Sequence, residues 1–145
     1  MIKKICYLSL LISWMLVIYL FSNQNGNTSA SISYSFVSRI ICFFNLLPSD
    51  YLIQTLHLIV RKCAHMSEYA ILTFLLYKNL KLFDIRHLIT FKVLFLCFIY
   101  ACLDEFHQGF ISGRSPSFID VLIDMCGGIL MILGIFMFEK VFIKK

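Results

Sequence analysis

Charge is scarce in this chain. Only 14% of its 145 residues are Asp, Glu, Lys or Arg, against 60% apolar. That balance excludes an ordinary soluble globule. Its six cysteines (Cys6, Cys42, Cys63, Cys97, Cys102 and Cys126) include no C-x-x-C pair. Set mostly in apolar runs, they read as small apolar residues rather than disulfide partners or metal ligands. No internal repeat and no soluble domain stands out. Acidic residues are outnumbered, and the formal net charge is +5. In a soluble protein this surplus would point to nucleic acid. Here it reads as the Lys/Arg bias that orients membrane spans, and no nucleic-acid partner is expected.

What is present is apolar sequence in helix-length pieces. Lys3 and Lys4 precede the run from Ile5 to Phe21, which is long for a signal-peptide core and reads as an uncleaved first helix of about 25 Å. Ser22 to Ser38, rich in Ser, Asn and Gly, reads as a polar loop leaving the membrane. Phe36 to Leu47 is apolar but too short to span, which suits an interfacial or re-entrant helix. Pro48-Ser49-Asp50 then breaks and recaps the chain. No breaker follows between Tyr51 and Leu80. The second span is expected over 63–80, with 51–62 as its extension outside the membrane, and Lys62 pointing away from the polar stripe. A third span runs over about 88–103, with Lys92 snorkelling near its start. Gly109 to Pro116 forms a hairpin-like loop, and the fourth span covers about 118–138. Ser117-x-x-Asp120 matches a capping box, which would make Asp120 a helix cap. Gly127, Gly128 and Gly134 permit close helix approach but form no Gly-x-x-x-Gly pair in that span. The expectation is a single all-α domain over 1–145: a polytopic membrane bundle of about four transmembrane helices plus an interfacial helix.

Orientation follows from the cations. Lys3, Lys4, Lys78, Lys81, Arg86, Lys92, Lys140, Lys144 and Lys145 fall on one side, and Arg39, Arg61, Lys62 and Arg114 on the other. The positive-inside rule puts both termini in the cytoplasm of a multi-pass protein of the cell membrane. The carboxylates Asp50, Glu68, Asp104, Glu105, Asp120 and Asp124 then collect outside.

Three segments carry unusual polar groups to that outer rim. On a helix, His57, Arg61, His65 and Glu68 lie within about 80° of each other, although His57 suits an interfacial polar position as well as a site. Asp104, His107 and Gln108 share a helical face, beside Glu105 and followed by Arg114 in the loop. Asp120 and, one turn deeper, Asp124 open the fourth span. Carboxylates as deep as Glu68 and Asp124 must pair or stay protonated, and an Arg61–Glu68 ion pair that merely braces the bundle is one outcome.

The run Asp104-Glu105-x-His107-Gln108-x-Phe110-x-x-x-Arg114, with Asp120-x-x-x-Asp124-x-x-Gly127 after it, resembles the VanZ-like family of small bacterial membrane proteins. Arg61-Lys62-x-x-His65-x-x-Glu68-Tyr69 is similar to a second signature of that family, and Phe21-Ser22-Asn23-Gln24 followed by Ser29 to a first. Members often carry Asn where this chain has Asp124. The resemblance implies a multi-span bacterial membrane protein that acts on the cell envelope and is associated with resistance to the glycopeptide teicoplanin. It also raises the standing of Gln24 as a site residue.

Three chemistries are open to these residues. A catalytic pocket would use His65 or His107 with a carboxylate, Glu68 or Asp104, for acid–base work. Arg61 and Arg114 would clamp an anion on a lipid-linked or phosphorylated envelope molecule. Gln24, Glu105, Gln108, Asp120 and Asp124 would complete the binding surface. A shielding protein would bind at the same rim without chemistry. A metal site could use His65-x-x-Glu68 or Asp104-x-x-His107, but the spacing fits no high-specificity metal motif and nearby guanidinium groups oppose a cation. No metal or other cofactor is therefore expected. Membrane lipid and an anionic or lipid-linked envelope molecule are the expected partners.

Overall fold

The structure, a computed structural model, describes residues 1–45, 47–85 and 87–142. Arg86, Lys144 and Lys145 of the cation tally, and Leu46 of the interfacial segment, lie outside them. The described chain is all-α: α1 (Ile2–Ser22), α2 (Gly26–Phe43), α3 (Asp50–Leu82), α4 (Ile89–Gln108) and α5 (Phe118–Phe142). α3 is the hub, packing against each of the other four helices, while α2 packs chiefly on α3. The core between α1, α3, α4 and α5 is built from Leu11, Ile18, Tyr69, Leu72, Leu75, Cys97, Ala101 and Val121.

One expectation is overturned. The Ser/Asn/Gly stretch is not a loop; it is helical from Gly26, so only Asn23–Asn25 separate α1 from α2. The Asn25 side chain accepts from Thr28 N–H at 2.7 Å and caps the helix. Ser31 and Ser33 donate back to the carbonyls of Thr28 and Ser29, so hydroxyls that suggested a loop are absorbed by the helix itself. The expected interfacial segment is the second half of α2. Ser49 caps α3 by accepting from Leu52 N–H at 3.4 Å, and the helix then runs 33 residues without interruption.

α5 lies backbone to backbone on α3. A Cβ at Gly127 would come within 2.0 Å of the Met66 carbonyl oxygen, so only glycine permits this approach. The two helices run parallel. Lys62, in the first half of α3, pairs at 2.5 Å with Asp120 at the start of α5, and Lys81 with Glu139 at 2.6 Å near the ends of both. α1 is tied in by side chains that reach backbone oxygens. Tyr100 Oη donates to Met15 O at 2.7 Å, Asn79 Nδ2 to Tyr7 O at 2.9 Å, and Trp14 Nε1 to Glu68 O at 2.9 Å. Outside this core the molecule is apolar and bare. Phe91, Phe95, Leu96, Ile99 and Leu103 of α4 are all exposed, far more apolar surface than water tolerates. α1 and α5 are long and apolar enough to cross a membrane.

Candidate functional site

The end of α1, the first half of α3, the end of α4 and the start of α5 converge at one end of the bundle. Behind the convergence lies a buried polar network. Ser22 Oγ donates to Asp104 Oδ2 at 2.8 Å. Gln108 Nε2, one turn on from Asp104, donates to the same oxygen and to Ser22 Oγ, both at 3.0 Å. Ser22 is 1% exposed, and Asp104 and Gln108 are each 6% exposed. In so dry a place each of these bonds must be made, because an unmade one costs about 1–3 kcal/mol.

Arg114 closes the network. Its Nη1 donates to Gln108 Oε1 at 2.8 Å, its Nε to Gln24 O at 2.9 Å and its Nη2 to Phe21 O at 3.0 Å. The guanidinium thus sits on the carbonyl end of α1, where the helix dipole favours a cation. Burial pulls its pKa down, yet a guanidinium keeps its proton. The Arg61–Glu68 ion pair that the sequence allowed does not form. Among the described residues the lysine–carboxylate pairs are instead Lys62–Asp120 and Lys81–Glu139. No described residue pairs with or hydrogen-bonds the side chain of Arg61.

Other roles also change. The cap on α5 comes from Glu105, whose Oε1 accepts from Ser117 N–H at 2.7 Å. Burial pushes the Glu105 carboxyl up, and that N–H pulls it partly back. Asp120 does not serve as the cap; its carboxylate is turned to Lys62. Lys62, expected to point away from the stripe, therefore reaches the site from the flank nearer α5. His57 is buried, stacked on Tyr34 of α2 at 3.9 Å between ring centroids, and fastens α2 to α3. Tyr69 belongs to the core.

Two cavities meet at this end. A polar one of about 180 Å³, room for about six waters, is lined by Arg61, Lys62, His65, Glu105, Gln108, Arg114, Asp120 and Asp124 among others. An apolar crevice of about 510 Å³ opens between α2 and α3, lined by Phe21, Ile32, Phe36, Val60 and Ala64, with Glu68 and Gln24 among its polar members. Arg61, His65 and Arg114 line both. His65 Nδ1 stands 3.6 Å from Glu68 Oε2, and that oxygen has no hydrogen bond among the described residues.

Of the four residues expected to carry acid–base work, His65 and Glu68 are adjacent and face the cavities. Asp104 is behind them, committed to Ser22 and Gln108. His107 lines neither cavity; its ring rests on Tyr19 at 5.0 Å, with Nε2 buried and unpartnered among the described residues. Of the binding set, Arg61, Glu105, Gln108, Arg114, Asp120 and Asp124 line the polar cavity. Gln24 contributes its backbone carbonyl to Arg114. Ser22 and Lys62 are the contributors that residue spacing missed. Ser22 stood in a quoted motif, and Lys62 adjoins Arg61 but faces the helix that folds back onto it. Among the described residues no group of three His, Cys, Asp or Glu is placed to hold a metal ion.

The VanZ/LLP1 family model matches residues 7–139, nearly the whole chain. No curated protein and no solved structure matches it.

Proposed function

The chain belongs to the VanZ/LLP1 family, and from that premise we propose that it is a four-span protein whose outward cavity binds an anionic envelope molecule. Its apolar helices α1 and α5, with the family, make it a membrane protein. The proposed span count adds α3 and α4, with both termini in the cytoplasm. Support comes from the two ion pairs that join α3 to α5. Lys62 and Lys81 stand nineteen positions apart on one helix, and Asp120 and Glu139 nineteen apart on the other. At 1.5 Å per residue that is roughly 28 Å, close to the ~30 Å hydrocarbon layer. Each pair would sit at a membrane border, where water offsets the cost of its charges. The bare apolar face of α4 would meet lipid.

The observation that carries the anion-binding reading is Arg61. Five guanidinium donors that no described residue engages line both cavities, and a phosphate or carboxylate can take two of them in parallel. The adjacent His65 and Glu68 are the pair suited to move a proton at a bound oxygen. This supports a membrane enzyme acting on a lipid-linked or phosphorylated envelope substrate, in keeping with the family's association with teicoplanin resistance. A non-catalytic shielding role is the second reading. It is favoured by the number of acidic groups already spent on structure: Asp104 on Ser22, Glu105 on Ser117 and Asp120 on Lys62.

Both readings are tested in a susceptible Gram-positive host expressing the chain at verified membrane levels. Teicoplanin susceptibility is expected to fall, and Arg61→Ala to restore it without loss of protein. Glu68→Gln separates the two: the enzyme reading requires it to behave as Arg61→Ala, and shielding requires it to behave as the unmodified chain. An Arg61→Ala variant as protective as the parent would overturn the anion-binding site.

A further inference from the structure

We propose that the crevice between α2 and α3 is a hydrocarbon-chain subsite, so that the ligand is an anionic amphiphile entering sideways from the lipid layer. The inference rests on the anion-binding reading and extends it from the head of the ligand to its tail. Arg61, His65 and Arg114 line both the polar cavity and the crevice, so the two adjoin across a shared set of cationic and imidazole groups. A ligand anchored by an anion at Arg61 meets Glu105, Asp120 and Asp124 on the polar side and Val60, Ala64, Ile32 and Phe36 on the apolar side. The polar side is lined mostly by charged and polar groups that a hydrocarbon would strip of water, whereas the apolar walls accept a chain. Charge complementarity at one end and lining chemistry at the other therefore commit the occupant to a hydrocarbon tail carrying a terminal anion.

The helices hold the crevice open. α2 is pinned near its start, where Gly26 N donates to Ser112 O at 3.1 Å. A Cβ at Gly26 would fall 1.9 Å from the Gly113 carbonyl oxygen, so the crossing requires glycine. Further along, Tyr34 stacks on His57 of α3. Between these contacts Ser33 turns its hydroxyl back to Ser29 O, leaving Ile32 and Phe36 as the apolar wall. Ile32 and Phe36 are both about half exposed, so the wall continues onto the outer apolar surface and the crevice has a lipid-side mouth.

The test uses the full-length protein in polymer-bounded discs, titrated with inorganic phosphate and with straight-chain alkyl phosphates from butyl to octyl. Affinity is expected to rise by about fourfold for each methylene that enters the crevice. Neutral alkyl glucosides of the same lengths report partition into the disc and should rise less. Ala64→Phe on α3 and Ile32→Trp on α2 fill the crevice from opposite walls, and either should flatten the chain-length series. Prenyl and straight-chain phosphates of equal carbon number distinguish an isoprenoid from an acyl source, and either order supports the subsite. Phosphate binding that depends on Arg61 but not on chain length would overturn the subsite and leave the anion site standing. An undiminished slope in both filled variants, or glucosides rising as steeply as phosphates, would overturn it too. Failure of every anion to bind, at any length, would overturn the anion-binding reading itself.

Discussion

At the scale of single residues the site divides into groups that are committed and groups that are free. Arg114 and Arg61 have the same side chain and opposite situations. Arg114 holds three acceptors with three different nitrogens, a geometry that one ammonium cannot reproduce. Arg61 holds none among the described residues. Arg114→Lys should therefore lower stability by about 2 kcal/mol, the order expected for lost charge-assisted hydrogen bonds, read as an earlier thermal transition in detergent. Arg61→Lys should leave that transition in place and weaken anion binding about tenfold through loss of the planar fork. Equal thermal shifts in both would contradict the division. Asp104 gives a second prediction. Both of its described bonds are accepted by one oxygen, Oδ2, and the carbonyl of an Asn can accept the same two. Asp104→Asn should retain function where Asp104→Ala loses it. If Asn fails while the protein still accumulates, the charge of Asp104 is needed for chemistry.

At the scale of elements, the arrangement depends on how closely α5 can approach α3. Gly127 and Gly134 occupy the same helix under different constraints. A Cβ at Gly127 meets backbone at 2.0 Å, and one at Gly134 meets nothing within 4 Å. Gly134→Ala should be neutral or gain up to about 1 kcal/mol from helix propensity. Gly127→Ala must push α5 off α3, carrying Asp124 and Asp120 away from His65 and Lys62. A loss of about 2 kcal/mol or more is expected, of the order seen when a packed core is overfilled. Thermal unfolding of the two variants side by side measures the contrast, and a silent Gly127→Ala would mean that the helices pack further apart. Element existence was legible where one signal dominated. The unbroken run from Tyr51 to Leu80 appeared as one helix, and Ser49 stood where a cap was expected. α2 was misread because Ser, Asn and Gly serve turns and helix starts alike. Its periodic apolar members Ile32, Phe36 and Ile40 sat inside a polar background.

At the scale of the whole molecule, the sequence disclosed which residues would gather but not how they would divide the work. Spacing along one helix put Arg61, His65 and Glu68 on a common face, and Asp104 beside Gln108, as the structure has them. It could not say that His107 would turn to Tyr19 or that Lys62 would reach Asp120, because both depend on which helix arrives alongside. The two cation–carboxylate pairs that join α3 to α5 give the topology its sharpest test. If these pairs mark the borders of the hydrocarbon layer, the 109–117 loop beside Lys62–Asp120 faces outward. The α3–α4 turn beside Lys81–Glu139 then faces the cytoplasm. Probes must avoid buried positions: Asn79 bonds Tyr7 O and Leu75 O, whereas Ser112 and His87 are exposed. In a cysteine-free background, an impermeant thiol reagent applied to intact cells should label Ser112→Cys and spare His87→Cys until the membrane is opened. Labelling of His87→Cys alone would invert the protein. Equal labelling of both in intact cells would place the turn and the loop on one side, leaving α4 unable to cross and removing the four-span arrangement.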